Sequence, residues 1–510
     1  MKTMGNKVGN LENKANNVIR NINSNMLIYV VISIMSIFYI ISKSLEKEYP
    51  IAVICLLLFG FIVLDLLFFI IMKKMYKNLK LENIFLLLSV FFGLFYIVGF
   101  PPSQLPDDTP DYLRTLEVSK LQLTTPQKNE KVGRNLSENI GKVYSSKKYS
   151  DLKRIKDLKL NNNLRFYGYA NKSLYAFVCY IPQALGVGLA RILNFPILIQ
   201  IIFGKVFNYL LYIILIYLSI KYIPIKKESI LFISLLPMSL QEATSLSPDS
   251  LIISSLIALI SFIIYQRTNK NTKMNNRNMI LLAVLSVVIS LCKIVYLPLV
   301  FLIYLIPNNK FKSSKQKYIY CSIVCFISIV LNLYWLSISS SYLVAFHGRS
   351  NSSLQLKYIL SNPIGYIIIL YRTIDYYILI YLEEMVGCSL GQFVVGTSPI
   401  MVLISIIILF MLLIGRLKKG KIIFNILEKT YIAVLLIGTV LFMFTSLYMQ
   451  WTGYKASMVD GVQGRYFIPL LTIFSMLFSK EQEKEYGKKL IYFIFFMNIM
   501  SVLAIFNTYI

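Results

Sequence analysis

Apolar runs separated by short polar segments recur along all 510 residues, and most runs approach the length needed to cross a hydrocarbon core of about 30 Å. Met26–Ile41, Ile51–Met72 and Ile84–Phe100 come first. The third ends in Pro101-Pro102-Ser103-Gln104-Leu105-Pro106-Asp107-Asp108-Thr109-Pro110-Asp111. Proline fixes φ and removes a donor, so the helix stops and a stiff ledge holds Asp107, Asp108 and Asp111 at the membrane surface. The long polar segment 101–172 follows, then the amphipathic stretch Leu174–Leu193, placed in the outer interface. Ile197–Ile220, Ile230–Thr244 and Leu251–Tyr265 read as spans, with Ser247-Pro248-Asp249 as a tight turn. Residues 279–306 are apolar but interrupted by Lys293 and Pro298, with lysines on both flanks. With both flanks inside, they form two short legs of about 20 Å each, Lys293 near the turn. One long tilted helix is the alternative. Tyr318–Ile338 then goes out, Leu360–Leu382 lies flat on the outer face, and Ile400–Ile414 returns. Tyr431–Tyr448 goes out, Gly464 opens the way back, and Leu490–Asn507 leaves.

The pattern predicts an all-α polytopic membrane protein with about 13 transmembrane helices or half-helices and a long first outer loop. Clusters such as Lys73, Lys74, Lys77 and Lys80, then Lys221, Lys226 and Lys227, then Arg416, Lys418, Lys419 and Lys421 alternate with the spans and mark the cytoplasmic side. They place the N-terminus inside and the C-terminus outside. Residues 1–83 read as a cytoplasmic tail with two additional spans, 84–480 as the main membrane domain including outer loop 101–172, and 481–510 as a last span.

Composition agrees: 56% hydrophobic and 15% charged residues exclude an ordinary soluble domain. The net charge of +28 resides in the inter-span clusters, so it points to membrane topology and not to nucleic acid. Six scattered cysteines form no disulfide or zinc pattern. A single histidine, His347, argues against a histidine metal site or Ser-His chemistry.

Several polar residues have two readings. Asp107 and Asp108 are adjacent and must point apart, so one can act while the other caps or ligates. Asp249 either serves a site or favours the dipole of the helix it opens. Lys293 and Arg465 either snorkel to headgroups or hold an anion. Lys205, deep in an apolar run, either serves the site or pairs with a carboxylate of a neighbouring span. Arg372, Asp375, Glu383 and Glu384 read as an interfacial polar face.

Five motifs in order resemble a bacterial membrane family, the domain of unknown function 2142: Pro101–Asp108, Tyr180–Gly186, Ser247–Ser250, Lys293–Pro298 and Gly464–Pro469. Together they span roughly residues 84 to 480. That family is similar to the C-type (GT-C) glycosyltransferases, multi-spanning enzymes that take a sugar from a polyprenyl-phosphate donor on the outer face. The resemblance implies a GT-C-like fold, transfer to a cell-envelope glycan or polymer, and a catalytic carboxylate among Asp107, Asp108 and Asp111. It places Gln104, Gln183, Asp249, Lys293, Arg465, Tyr466 and Lys205 in substrate binding. Asp111 stands where the family usually has His, and Gly204-Lys205-Val206-Phe207-Asn208 replaces its Gly-Arg-Leu-x-x-Asn, which leaves the proton-transfer partner open. Metal dependence is open as well, with Mg2+ or Mn2+ as the candidate cofactor. A transporter or flippase of lipid-linked glycans is the alternative, although no repeat relates the two halves.

Overall fold

The computed structural model describes residues 80–128, 131–342, 351–415, 422–479 and 487–509, with scattered positions between 29 and 70. The predicted tail 1–25, His347 and the basic clusters at 73–77, 416–421 and 480–484 lie outside the described residues. Among the described residues, seven helices are long and apolar enough to cross a membrane. The chain forms two compact units, 1–80 with 485–503 and 81–484 with 504–510.

In the first unit the described positions between 29 and 70 are helical. Ser33 Oγ donates to the Asp65 carboxylate at 2.8 Å, and the Tyr29 hydroxyl donates to the Asp65 carbonyl at 2.8 Å. A carboxylate in an apolar helix needs such donors nearby. The Tyr29 ring packs on Phe69 and Tyr492.

The second unit opens with α1 (Leu81–Gly99) and α2 (Asp108–Ser119), then α3 (Ile181–Ile192) and α4 (Ile197–Tyr222). Next come α5 (Lys227–Ser234), α6 (Pro237–Ala243), α7 (Asp249–Thr268), α8 (Asn276–Cys292) and α9 (Ser314–Ser339). It closes with α10 (Pro363–Val386), α11 (Pro399–Ile414), α12 (Ile426–Gln450) and α13 (Ile468–Met476). The central helix is α7, buried on all sides and packed by α4, α8 and α13. Its Ser254 hydroxyl donates to the Ser250 carbonyl at 2.8 Å, so a polar side chain is carried inside without an orphan donor. α3 and α4 meet at Gly186 and Gly204. A Cβ on Gly186 would stand 2.3 Å from the Phe203 carbonyl oxygen, so only glycine permits that approach.

Ile230–Thr244, expected as one span, is two short helices, α5 and α6. Pro237 cannot donate to the preceding turn, and Leu236 before it is extended at φ −58, ψ 141. Residues 279–306 divide as the two-leg reading expects. α8 ends at Cys292, Lys293 is extended at φ −146, ψ 120, and a 3-10 helix runs from Ile294 to Leu305. The legs return to one end, because the Met274 amide donates to the Lys310 carbonyl at 2.8 Å. α10, expected to lie flat on the outer face, is one of the seven helices long and apolar enough to cross a membrane. Its Tyr366 ring packs on Tyr448 and its Tyr381 ring on Phe444, both of α12.

Segment 101–172 is a folded cap and not a simple loop. β1 (Gln127–Lys128), β2 (Lys131–Ser137) and β3 (Leu164–Gly168) form an antiparallel sheet in that order. The all-α expectation omitted this sheet, since β2 lacks a clean apolar alternation. Beneath it α2 buries Tyr112, Leu113 and Leu116 with Ile140 and Val143. Arg114 is fully buried and donates to Glu117, to Thr125 Oγ1 at 3.3 Å and to the Leu123 carbonyl at 2.8 Å. Ser173 donates to the same Thr125 at 2.8 Å, which ties down the neighbour of Lys172.

Candidate functional site

The ledge after α1 carries two non-glycine residues in the left-handed region, Ser103 at φ 71 and Asp107 at φ 59. Each such residue costs about 1–2 kcal/mol. The Ser103 amide donates to Asp108 Oδ2 at 2.9 Å, and Gln392 Nε2 donates to the Ser103 carbonyl at 2.6 Å, so contacts on both sides hold the strained turn. The turn sends the adjacent carboxylates apart. The Asp107 side chain is 40% exposed, whereas Asp108 is 3% exposed and faces inward.

Asp107 joins an ionic cluster assembled from five separate segments. Lys172 Nζ donates to Asp107 Oδ2 at 3.1 Å and lies 3.2 Å from Asp111 Oδ1, which also accepts from the Tyr180 hydroxyl at 2.8 Å. Arg465 Nη1 donates to Glu242 Oε1 at 3.0 Å. Arg465 Nη2 stands 3.8 Å from Asp107, and its Nε 3.9 Å from Asp249. Lys293 pairs with Asp249 and lies 4.5 Å from the centre of the Tyr466 ring.

Local backbone explains these placements. Lys293 occupies the break between the two legs, so its side chain leaves the helix direction. The Tyr296 hydroxyl donates to the Tyr466 carbonyl at 2.9 Å and draws the two motifs together. Gly464 lies against α10, where a Cβ would meet the Tyr381 carbonyl oxygen at 2.3 Å, and its amide donates to Glu384 Oε2 at 2.6 Å. Glu384, expected in an interfacial face, thus anchors the turn that delivers Arg465. Asp249 opens α7 but caps nothing with its side chain.

Two cavities flank the cluster. An apolar groove of about 190 Å³ lies between the C-terminal parts of α9 and α12, bounded by Asn332, Trp335, Met443 and Leu447, with Lys293 on its wall. A polar chamber of about 440 Å³ is lined by Asp107 and Lys172. Leu174, Tyr175, Leu447, Gln450 and Tyr466 belong to both walls, so groove and chamber adjoin; Lys293 lines the groove, Lys172 lines the chamber, and Arg465 lies behind both walls.

Asp107, Asp111, Asp249, Lys293, Arg465 and Tyr466 therefore come together. Lys205 is buried in α4, apart from the cluster; its charge acts on Asp108 through space, with no direct ion pair between them. Gln183 is buried and donates to the Cys179 and Leu246 carbonyls, a structural role. Gln104 is outside both cavity walls; its amide donates to the Pro101 carbonyl in the ledge turn. Lys293 and Arg465 do not snorkel: each holds a protein anion, Asp249 and Glu242 respectively. Lys172 and Glu242 were missed. Glu242 had a signal, a Gln-Glu pair inside an apolar run; Lys172, in the polar segment, had none.

The charge on Lys172, joined by Arg465, holds the Asp107 carboxyl below its usual range. Burial pushes Asp108 up, opposed by Lys205. Burial pushes Asp111 up to about 7, opposed by Lys172, and its Oδ2 is a buried oxygen with no hydrogen bond, a place for the proton. The folded protein therefore keeps a proton on Asp111 that the unfolded chain releases near pH 4. The stability tied to this residue is full below about pH 4 and falls by roughly 4 kcal/mol as pH rises to 7. Asp111→Asn should gain melting temperature relative to the parent as pH rises from 4 to 7. A constant difference across that range would count against the raised pKa.

Among the described residues, no three His, Cys, Asp or Glu side chains converge on a position able to hold a metal ion. The site carboxylates turn towards lysine and arginine, so the residues do not fit the Mg2+ or Mn2+ candidate.

No curated protein and no solved structure matches the chain. A family model described as "Predicted membrane protein (DUF2142)" matches residues 87–474, including all five motifs up to Pro469. The chain is a multi-pass membrane protein belonging to the DUF2142 family of predicted membrane proteins.

Proposed function

We propose that the protein is an integral membrane glycosyltransferase of the GT-C type, transferring a sugar from a polyprenyl-phosphate donor to a cell-envelope glycan on the outer face. The observation that carries this reading is an apolar groove and a polar chamber that adjoin beside an ionic cluster, with Lys293 on the groove wall and Lys172 on the chamber wall. A lipid-linked sugar needs those three surroundings in that order: the prenyl tail in the groove, the phosphate at the cations, the sugar in the chamber. Arg465 supports the middle place. Its side chain is 7% exposed, yet Nε has no hydrogen bond and Nη2 has only a carboxylate 3.8 Å away. Those two nitrogens form the fork that binds phosphate through parallel hydrogen bonds.

Asp107, ionised and facing the chamber, is the base. It takes the proton of an acceptor hydroxyl while that oxygen attacks the anomeric carbon. The bond from that carbon to the phosphate oxygen breaks, and polyprenyl phosphate leaves with the electron pair, held by Arg465 and Lys293. At rest Lys172 and Arg465 make Asp107 a weak base. A phosphate that engages Arg465 withdraws one of those charges and raises its basicity when the donor is in place.

This reading includes about 13 crossings, with the N-terminus inside and the C-terminus outside. Cysteines placed at Ser103 and Ser457, in a chain lacking the native six, should react with an impermeant thiol reagent in intact cells. Labelling only after lysis would overturn the orientation. Reconstituted protein given a short-chain polyprenyl-phosphate hexose and an envelope glycan should release polyprenyl phosphate. Movement of intact donor across the bilayer without release would support the flippase reading instead.

A further inference from the structure

The polar chamber has its own chemistry. Among the described residues on its wall, Asp107 and Lys172 are the ionised ones, and they face each other at 3.1 Å. The wall therefore offers neither a spare cation nor a spare anion. Its other polar contributors are carboxamides, Asn171, Gln392, Gln450 and Gln463, each able to donate and accept. Gln463 Oε1 is a buried acceptor with no hydrogen bond in the protein. The Trp451 indole joins the same wall beside the Tyr175 and Tyr466 rings.

Amides that donate and accept match sugar hydroxyls, and aromatic faces match the C–H face of a pyranose ring. A uronate would bring a carboxylate into a wall where, among the described residues, the one lysine, Lys172, is already paired with Asp107. An unacetylated amino sugar would bring a cation beside Lys172. Burying either charge without a partner is costly, whereas hydroxyls find partners on every side.

From this we infer that the chamber takes an uncharged hexopyranosyl group, plain or N-acetylated, and rejects uronic acids and free amino sugars. This rests on the glycosyltransferase reading and specifies its donor. The test uses a convenience of the sequence: the chain has two tryptophans, Trp451 on the chamber and Trp335 on the groove. Tryptophan emission of the solubilised full-length protein is titrated with the methyl glycosides of glucose, galactose and mannose, with N-acetylglucosamine, and with glucuronate and glucosamine. At least one neutral probe should shift the emission saturably, and the charged probes should stay silent at tenfold higher concentration. Trp451→Phe should abolish the shift. Saturation-transfer NMR on the unmodified protein should give the same ranking without any substitution. Glucuronate or glucosamine binding as well as the best neutral probe would overturn the inference. So would silence of every neutral probe by both methods up to about 100 mM, a hundredfold above a millimolar Kd. Polyprenyl phosphate read by Trp335 in the Trp451→Phe protein separates the two failures. A response there with a silent chamber removes this inference and leaves the transferase reading standing.

Discussion

Asp107→Asn lowers sugar transfer by about 10²–10⁴-fold, the contribution of a general base, while the protein still inserts and folds. The substitution keeps the shape and the left-handed backbone that asparagine tolerates, and it removes only the charge. Initial rates of polyprenyl phosphate release from reconstituted protein measure it. The neighbouring positions sharpen the test. Asp108 is buried and accepts from the Ser103 amide in the ledge turn, so Asp108→Asn should show mainly as a loss of stability, because that strained turn loses a charged acceptor. Residue order alone does not choose between Asp107 and Asp108; the turn at Asp107 separates them, with one side chain towards the chamber and the other inward. Full activity in Asp107→Asn would remove the carboxylate mechanism.

Arg465→Ala should lose stability and donor use together. Glu242 is 1% exposed, and stripping its partner leaves a buried charge, which costs about 3–5 kcal/mol. Adding Glu242→Gln should recover most of the melting temperature, since the orphaned charge is then gone. It should not recover donor binding, since the phosphate fork is still absent. Arg465→Lys keeps a charge but not the fork, and a charged hydrogen bond contributes about 1.5–3 kcal/mol, so the Kd for polyprenyl phosphate should rise by roughly 10–100-fold. Lys293→Arg should be milder, because a lysine acts there as a point charge. A double variant that regains donor binding along with stability would make Arg465 a purely structural partner of Glu242 and move the phosphate elsewhere.

Much of this architecture can be read along the chain because the bilayer restricts what a sequence can do. An apolar run of sufficient length must be a helix, a proline must end it, and lysine clusters must sit outside the hydrocarbon. Hence the polytopic class, the ledge after α1, the break at Lys293 and the family motifs follow from residue order. The pairing of charges does not. Glu242 and Arg465 are more than 200 positions apart and Lys293 and Asp249 more than 40, and nothing local selects one partner over another. Only packing decides that Gly464 lies flat on α10, that Pro237 splits a span so that Glu242 reaches the cluster, and that the cap delivers Lys172 to Asp107. Periodicity reports how each segment meets lipid or water; which cation meets which carboxylate is settled by the desolvation energy of the assembled fold, where every buried charge needs a partner within a few ångströms.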